Sequence, residues 1–336
     1  MSDKIIDVSG EVPIRRVGDG EKHSFFGYYN KTNFGPADTR LLGNRTPLFT
    51  GDLTGRETAE VGFFDLANGD RWHKLGETTA WNWQMGCQLQ WLGQSNRAIY
   101  NTRATGPATA ANIYPDFRSR VVDADTGEDR ELPAPIYCSL KRLFDFEHVA
   151  SMDNAMHWIT HMEVNPSGTR FLFIHRWTER PDDEFCYLHR LYTINGDGTD
   201  LRLLEDTDHP LPQLAEDFDP SQHGTFDYEK SEWQISHPLW KSDDEVIVWG
   251  PHQGEIHYQL YNDRTGSVAQ VGPGILTENR HMTYGTDGRW MLSDTYPDAA
   301  TDKRALFLYD CDRDLRYDLG SFYTPSDLGK HNRCDL

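Results

Sequence analysis

Three histidines stand at matching places in three successive repeats: His161-Met-Glu-Val-Asn-Pro-Ser-Gly-Thr-Arg, His237-Pro-Leu-Trp-Lys-Ser-Asp-Asp and His281-Met-Thr-Tyr-Gly-Thr-Asp-Gly-Arg-Trp. His157 and His175 lie close to the first, and Arg176 follows His175 directly. A neutral imidazole accepts protons near neutral pH, and a guanidinium grips a carboxylate. Together they suit elimination beside a carboxylate, as in a uronic-acid chain. A base removes the C5 proton, O4 leaves with a proton, and a cation neutralises the enolate-like charge that develops. His161 or His175 is the candidate base, with His157 beside them. Arg176 or Arg103, or a metal ion, is the candidate holder of the carboxylate. A second histidine or a tyrosine would protonate the leaving oxygen.

His237, His281 and Cys334 are candidate ligands for a divalent transition metal, zinc or manganese, with His331 as an alternative to Cys334. Imidazole and thiolate suit such ions. The chain has no C-x-x-C or H-E-x-x-H motif, and Cys334 serves equally as a buried thiol. Aromatic rings pack on sugar faces, so Trp81-Asn-Trp83-Gln84 is a candidate substrate segment; Trp81 and Trp83 could equally pack a sheet. Phe25-Phe-Gly-Tyr-Tyr-Asn-Lys31 is a second such segment. There Tyr29 and Lys31 are candidate substrate contacts, Phe25 and Phe26 core, and His23 structural. No Ser-His-Asp order, glycine-rich phosphate loop or nucleotide fingerprint is present.

The repeat must position these groups. Apolar strands end in Pro/Ser/Asp/Gly clusters and restart as apolar runs. This happens at Lys31–Arg40, at Gln88–Arg97, around Ile136–Leu140, from His161, His237 and His281, and again from His331. These copies predict an all-β, seven-bladed β-propeller of four-stranded antiparallel blades, a single domain over residues 1–336 with an incomplete last blade. Either Val12–Val17 closes the ring as a strand or the C-terminus is shortened, and the second reading is preferred. Innermost strands of a propeller converge on one axis, which would gather the histidines at one mouth. Antiparallel pairing places His175 and Arg176 at the rim of His161, together with Lys31, Arg45, Gln88, Arg103, His157, His237, His281 and Tyr296. A short helix is expected between Leu211 and Asp219, with long loops over 182–184 and 205–230.

Asp and Glu outnumber Lys and Arg by 53 to 33, a formal net charge of −20. That argues against nucleic acid or an anionic membrane as partner. An acidic oligosaccharide or polysaccharide is compatible with a local cationic pocket. Five scattered cysteines imply no disulfide framework. No stretch reaches the length of a membrane span, and Met-Ser-Asp-Lys-Ile-Ile-Asp has no apolar signal core. A cytoplasmic setting is expected, or a periplasmic or secreted one if the N-terminus has been trimmed.

These residues resemble the β-propeller polysaccharide lyases, namely oligogalacturonate lyases and the related enzymes acting on ulvan or on rhamnose–glucuronate linkages. The resemblance runs through most of the chain and is strongest from His157 to Leu336. Ser236-His237-Pro-Leu-Trp240 is similar to the Thr/Ser-His-x-x-Trp segment whose histidine binds metal in oligogalacturonate lyases. Arg190-Leu-Tyr-Thr-Ile-Asn-Gly-Asp-Gly-Thr-Asp200 is similar to the outer hairpin after their catalytic histidine region. That implies a catalytic region here of Phe173-Ile-His175-Arg-Trp177, with His157-Trp-Ile-Thr-His161 upstream. Phe25-Phe-Gly-Tyr-Tyr-Asn-Lys is closer to the ulvan-lyase side. The resemblance implies a lyase and does not fix the sugar. Where those enzymes carry a Gln-x-x-His-x-His metal cluster, this chain has His331-Asn-Arg-Cys334-Asp-Leu336, without the terminal histidine. Two other readings stay open. A glycoside hydrolase would want two carboxylates where the aligned positions hold His, Lys and Gln. A non-catalytic glycan- or protein-binding propeller would not need histidines in register.

Overall fold

The computed structural model describes residues 4–48, 53–103, 117–132, 139–179, 187–206, 234–298 and 300–324. Within them the protein is all-β, a β-propeller fold with five four-stranded antiparallel blades. A short strand, β1 (Ile5–Asp7), comes first. Blade one is β2 (Lys22–Phe25), β3 (Arg40–Pro47), β4 (Ala59–Asp65) and β5 (Arg71–Thr78). Blade two is β6 (Gln90–Trp91), β7 (Arg97–Arg103), β8 (Phe117–Asp123) and β9 (Asp129–Leu132). A helix, α1 (Leu140–Asp145), precedes blade three: β10 (Met156–Val164), β11 (Arg170–Thr178), β12 (Leu188–Asn195) and β13 (Arg202–Asp206). Blade four is β14 (Ser236–Trp240), β15 (Glu245–His252), β16 (Glu255–Asn262) and β17 (Val268–Val271). Blade five is β18 (Met282–Tyr284), β19 (Trp290–Asp294), β20 (Lys303–Asp310) and β21 (Leu315–Tyr323). Sequential strands pair in every blade, as short turns between apolar runs dictate.

Among the described residues the seven-bladed expectation is therefore corrected to five blades. The turn cluster around Ile136 opens no described strand. Residues 133–138 lie outside the described residues, and Ser139 caps α1, its Oγ accepting from the Arg142 N–H at 3.2 Å. Leu143 is buried beneath that turn. A turn signal marks only where a chain reverses; a hydroxyl at the reversal can start a helix as readily as a strand. The copy from His331 and the helix expected over 211–219 lie outside the described residues. The added N-terminal strand also sits earlier than Val12–Val17: Ile5, Ile6 and Asp7 pair in parallel with Arg316, Tyr317 and Asp318.

By its contacts the chain divides into two compact units. One comprises Met1–Glu11, Ile136–Asp298 and Lys303–Phe322, and carries blades three to five. The other comprises Val12–Pro135, Ala299–Asp302 and Tyr323–Leu336, and carries blades one and two. In the first, Leu172, Ile174 and Leu191 of blade three pack with Ile235, Trp240, Val246 and Val248 at blade four. The opposite face of blade three sets Phe173, Tyr192 and Ile194 around Leu143. In the second, Leu42, Val61 and Phe63 pack with Trp91, Ala98, Tyr100 and Val122. Alternation along each strand divides its apolar residues between two such cores. Among the described residues no helix is long and apolar enough to cross a membrane.

Candidate functional site

Consecutive strand residues point to opposite sides of a sheet, and this sorts the histidines of blade three. Trp158 stands opposite Arg176, and Ile159 opposite His175. His175 stands opposite Arg190, and Arg176 opposite His189. The neighbours His175 and Arg176, read from the sequence as sharing one rim, thus face opposite sides of the blade. Each belongs to a different cluster.

On the Arg176 side, His161 and His237 interrupt their strands in the same way. The register slips between Thr160 and Glu163, and between Ser236 and Leu239. Both histidines have left-handed backbones, with φ of 54° and 52°. Gln88, their counterpart in blade two, has φ of 59°. A bulge re-aims its residue, and a left-handed non-glycine residue costs about 1–3 kcal/mol and favours functional places. In each case the preceding hydroxyl holds the ring. Thr160 Oγ1 lies 2.8 Å from His161 Nδ1, and Ser236 Oγ 3.1 Å from His237 Nδ1. His281 stands just ahead of β18 and is fixed differently. Asp294 accepts its backbone N–H at 3.2 Å, and the Asp294 carboxylate reaches its Nδ1 at 3.2 Å.

The His237 and His281 ring centres are 4.5 Å apart, inclined at 62°. His237 Nδ1 lies 2.8 Å from Asn279 Oδ1. An amide oxygen and a carboxylate only accept, so Nδ1 carries a proton in both rings. Burial, followed by His281, His161 and Arg176, holds His237 well below the usual histidine range against the opposing pull of the Asn279 bond. His237 is therefore a neutral imidazole. Three blades contribute: His161 and Arg176 from the third, His237 from the fourth, His281 at the entry to the fifth. Arg176 lies 4.5 Å over the Tyr187 ring, and Tyr296 stands edge-on to His281 at 5.8 Å. His161, Arg176 and Tyr296 are half-buried; His237 and His281 are buried.

Two imidazoles anchored at Nδ1 have the arrangement of metal-ligating histidines, whose remote nitrogen ordinarily donates to an oxygen. Among the described residues no group of three or more His, Cys, Asp or Glu side chains is placed to hold a metal ion. Cys334 and His331 lie outside the described residues. Sequence reasoning missed Asn279, Asp294 and Arg304, whose Nη1 donates to Asp294 Oδ2 at 2.9 Å. Only Asn279, two residues before His281, left a local signal.

On the other side of blade three, His157 Nδ1 lies 2.9 Å from His175 Nε2, with the rings stacked at 5.2 Å and 15°. His157 Nε2 lies 3.0 Å from the Met152 carbonyl oxygen. His175 is 0 % exposed, and its Nδ1 has no hydrogen-bond partner among the described residues. Burial, then the charges of His157 and Arg190, push its pKa down to about 3. So weak and sealed a base suits removal of a C5 proton poorly, whereas half-buried His161 is open to substrate.

The remaining sequence candidates stand in the other compact unit. Tyr29 is buried against Tyr28, with ring centres 4.4 Å apart. Lys31 is half-buried, its backbone N–H donating to the Tyr28 carbonyl at 3.0 Å. Trp83 sits among His23, Phe25 and Trp81 at 5.3, 5.4 and 5.0 Å, and Gln84 beside it is exposed. Arg103 Nε donates to Thr79 Oγ1 at 2.9 Å. Phe25 is buried as expected, but Phe26 is exposed, because adjacent extended residues face opposite ways.

No protein-family model matches the sequence, and no curated protein does. Several solved structures are similar at low identity. An oligogalacturonate lyase in complex with manganese is 13% identical over 90% of this chain and 67% of its own, with a TM-score of 0.44. An oligogalacturonate lyase from Vibrio parahaemolyticus is 12% identical over 96% of this chain and 74% of its own, with a TM-score of 0.46. A putative TolB from Agrobacterium tumefaciens is 11% identical over 90% and 91%, with a TM-score of 0.45. At that similarity they say nothing about what this chain does.

Proposed function

We propose that this protein is a carbon–oxygen lyase that cleaves uronic-acid-containing oligosaccharides or polysaccharides by β-elimination. One observation carries the reading: His237 sits against His281 with ring centres 4.5 Å apart, and His161 and Arg176 lie close enough to influence it. In this reading Arg176 pairs with the uronate carboxylate and stabilises the charge that grows there. His161, with Nδ1–H turned to Thr160 Oγ1, takes the C5 proton at Nε2. The C5–H electrons become the C4=C5 double bond as the C4–O4 bond breaks. The Tyr296 hydroxyl gives its proton to O4. A divalent ion held by His237 and His281 would add positive charge at the carboxylate. Hydrolysis by a carboxylate pair is less well served, since Asp294 is 1 % exposed and committed to His281 and Arg304.

The test is incubation with a panel of uronic-acid glycans while ultraviolet absorbance and reducing ends are followed. Elimination generates a conjugated, absorbing product with each new reducing end. New ends without absorbance would establish hydrolysis, and no change across the panel would leave the binding role in place of the enzyme.

A further inference from the structure

We propose a second saccharide site, for neutral sugars, on the outer half of blade four, independent of the elimination reading. A groove of about 500 Å³ lies there. Its walls are His252, Gln253 and Glu255 of the β15–β16 hairpin, Gln259 of β16, and Val268 and Gln270 of β17. Gln259 and Gln270 are direct cross-strand partners, as are His252 and Glu255. Strand alternation puts Glu255 and Gln259 on one side of β16.

The lining is chemically selective. Three of its side chains are primary amides, each presenting a donor next to an acceptor, which matches a pair of neighbouring hydroxyls. Gln259 forms the floor. It is 2 % exposed, and its hydrogen bond to the Glu255 carbonyl is long, at 3.4 Å. A bond that long is weak, so a ligand hydroxyl could replace it at little cost. The polar end of the groove is already oriented. Gln270 Nε2 donates to Glu255 Oε2 at 2.7 Å. Glu205 of β13 accepts from the Tyr261 hydroxyl at 2.7 Å and from His252 Nδ1 at 2.6 Å. A carboxylate only accepts, so His252 Nδ1 carries a proton and the ring is held in one orientation.

Charge excludes the other ligand classes. The lining holds a carboxylate and neither lysine nor arginine, and Glu205 stands behind His252. A uronate here would meet repulsion without a counter-charge, the reverse of the Arg176 cluster. An apolar ligand would leave the amides unbonded, which is costly.

Calorimetric titration with linear neutral hexasaccharides from xylan, glucan, galactan and mannan tests this. At least one is expected to bind the wild-type protein with a Kd of about 1 mM or tighter. Gln259→Leu should weaken it about tenfold through lost hydrogen bonding. Gln270→Ala, at the exposed wall, should weaken it too and keeps the test decisive if the buried variant does not fold. Uronate elimination, assayed on the same samples, should be unchanged in Gln270→Ala. Absence of saturable binding for all four sugars overturns the proposal, as does undiminished binding to Gln270→Ala.

Discussion

His157 and His175 are joined ring to ring by a hydrogen bond, His157 Nδ1 lying 2.9 Å from His175 Nε2. The Met152 carbonyl can only accept, so His157 Nε2 carries a proton. His175 Nδ1 lies in the core without a partner among the described residues. Burial disfavours the charged form of His175.

That makes folding stability depend on acid. His175 titrates near 3 when folded and near 6.5 when unfolded, so between these values the unfolded chain binds the extra proton. Stability therefore rises with pH; it is intact above about 6.5 and declines as pH falls toward 3. The full loss from this one group is on the order of 5 kcal/mol. Denaturant titrations at successive pH values should show the decline, and His175→Phe should flatten it while costing about 1 kcal/mol at neutral pH through the lost bond. An unchanged acid slope in the variant would show that other groups govern it.

Arg176→Ala should lower kcat/KM on a uronate substrate by about 10²–10³-fold, as loss of a charge-stabilising donor does. Stability should fall by no more than about 1 kcal/mol, from the lost contact with the Tyr187 ring. Arg176→Lys should recover only part of the rate, because an ammonium cannot form the paired fork. A fully active alanine variant would remove Arg176 from the mechanism.

A divalent transition ion is expected in the purified protein, and chelation should lower Tm because the ion binds only the folded chain. Asp294→Asn should weaken metal affinity by roughly 10–100-fold by loosening the hold on His281 Nδ1–H. Elemental analysis finding no metal in protein purified without chelators would end this part of the reading.

In the smaller unit, Trp83→Ala removes a ring from the group of His23, Phe25 and Trp81, so it should cost about 1–3 kcal/mol of stability. Gln84→Ala should leave Tm unchanged, since Gln84 is exposed. Equal Tm values for the two variants would show that the Trp83 ring contributes nothing to packing.

The all-β class and the equivalence of His161 and His237 were legible in the sequence, because turn residues and apolar periodicity are local properties. The shared hydroxyl–histidine pair, Thr160-His161 and Ser236-His237, encodes a shared bulge in the same local way. The number of blades was not legible, since Ser139 can start a helix as well as a strand, and only the buried contacts of Leu143 settle which. The division between His175 and Arg176 also required three dimensions. Adjacency in sequence suggests partnership, but a pleated strand turns neighbours to opposite faces. Asn279 and Asp294 set the protonation of His237 and His281 across 42 and 13 residues; contacts of that span arise only when separate strands are brought together by a common core.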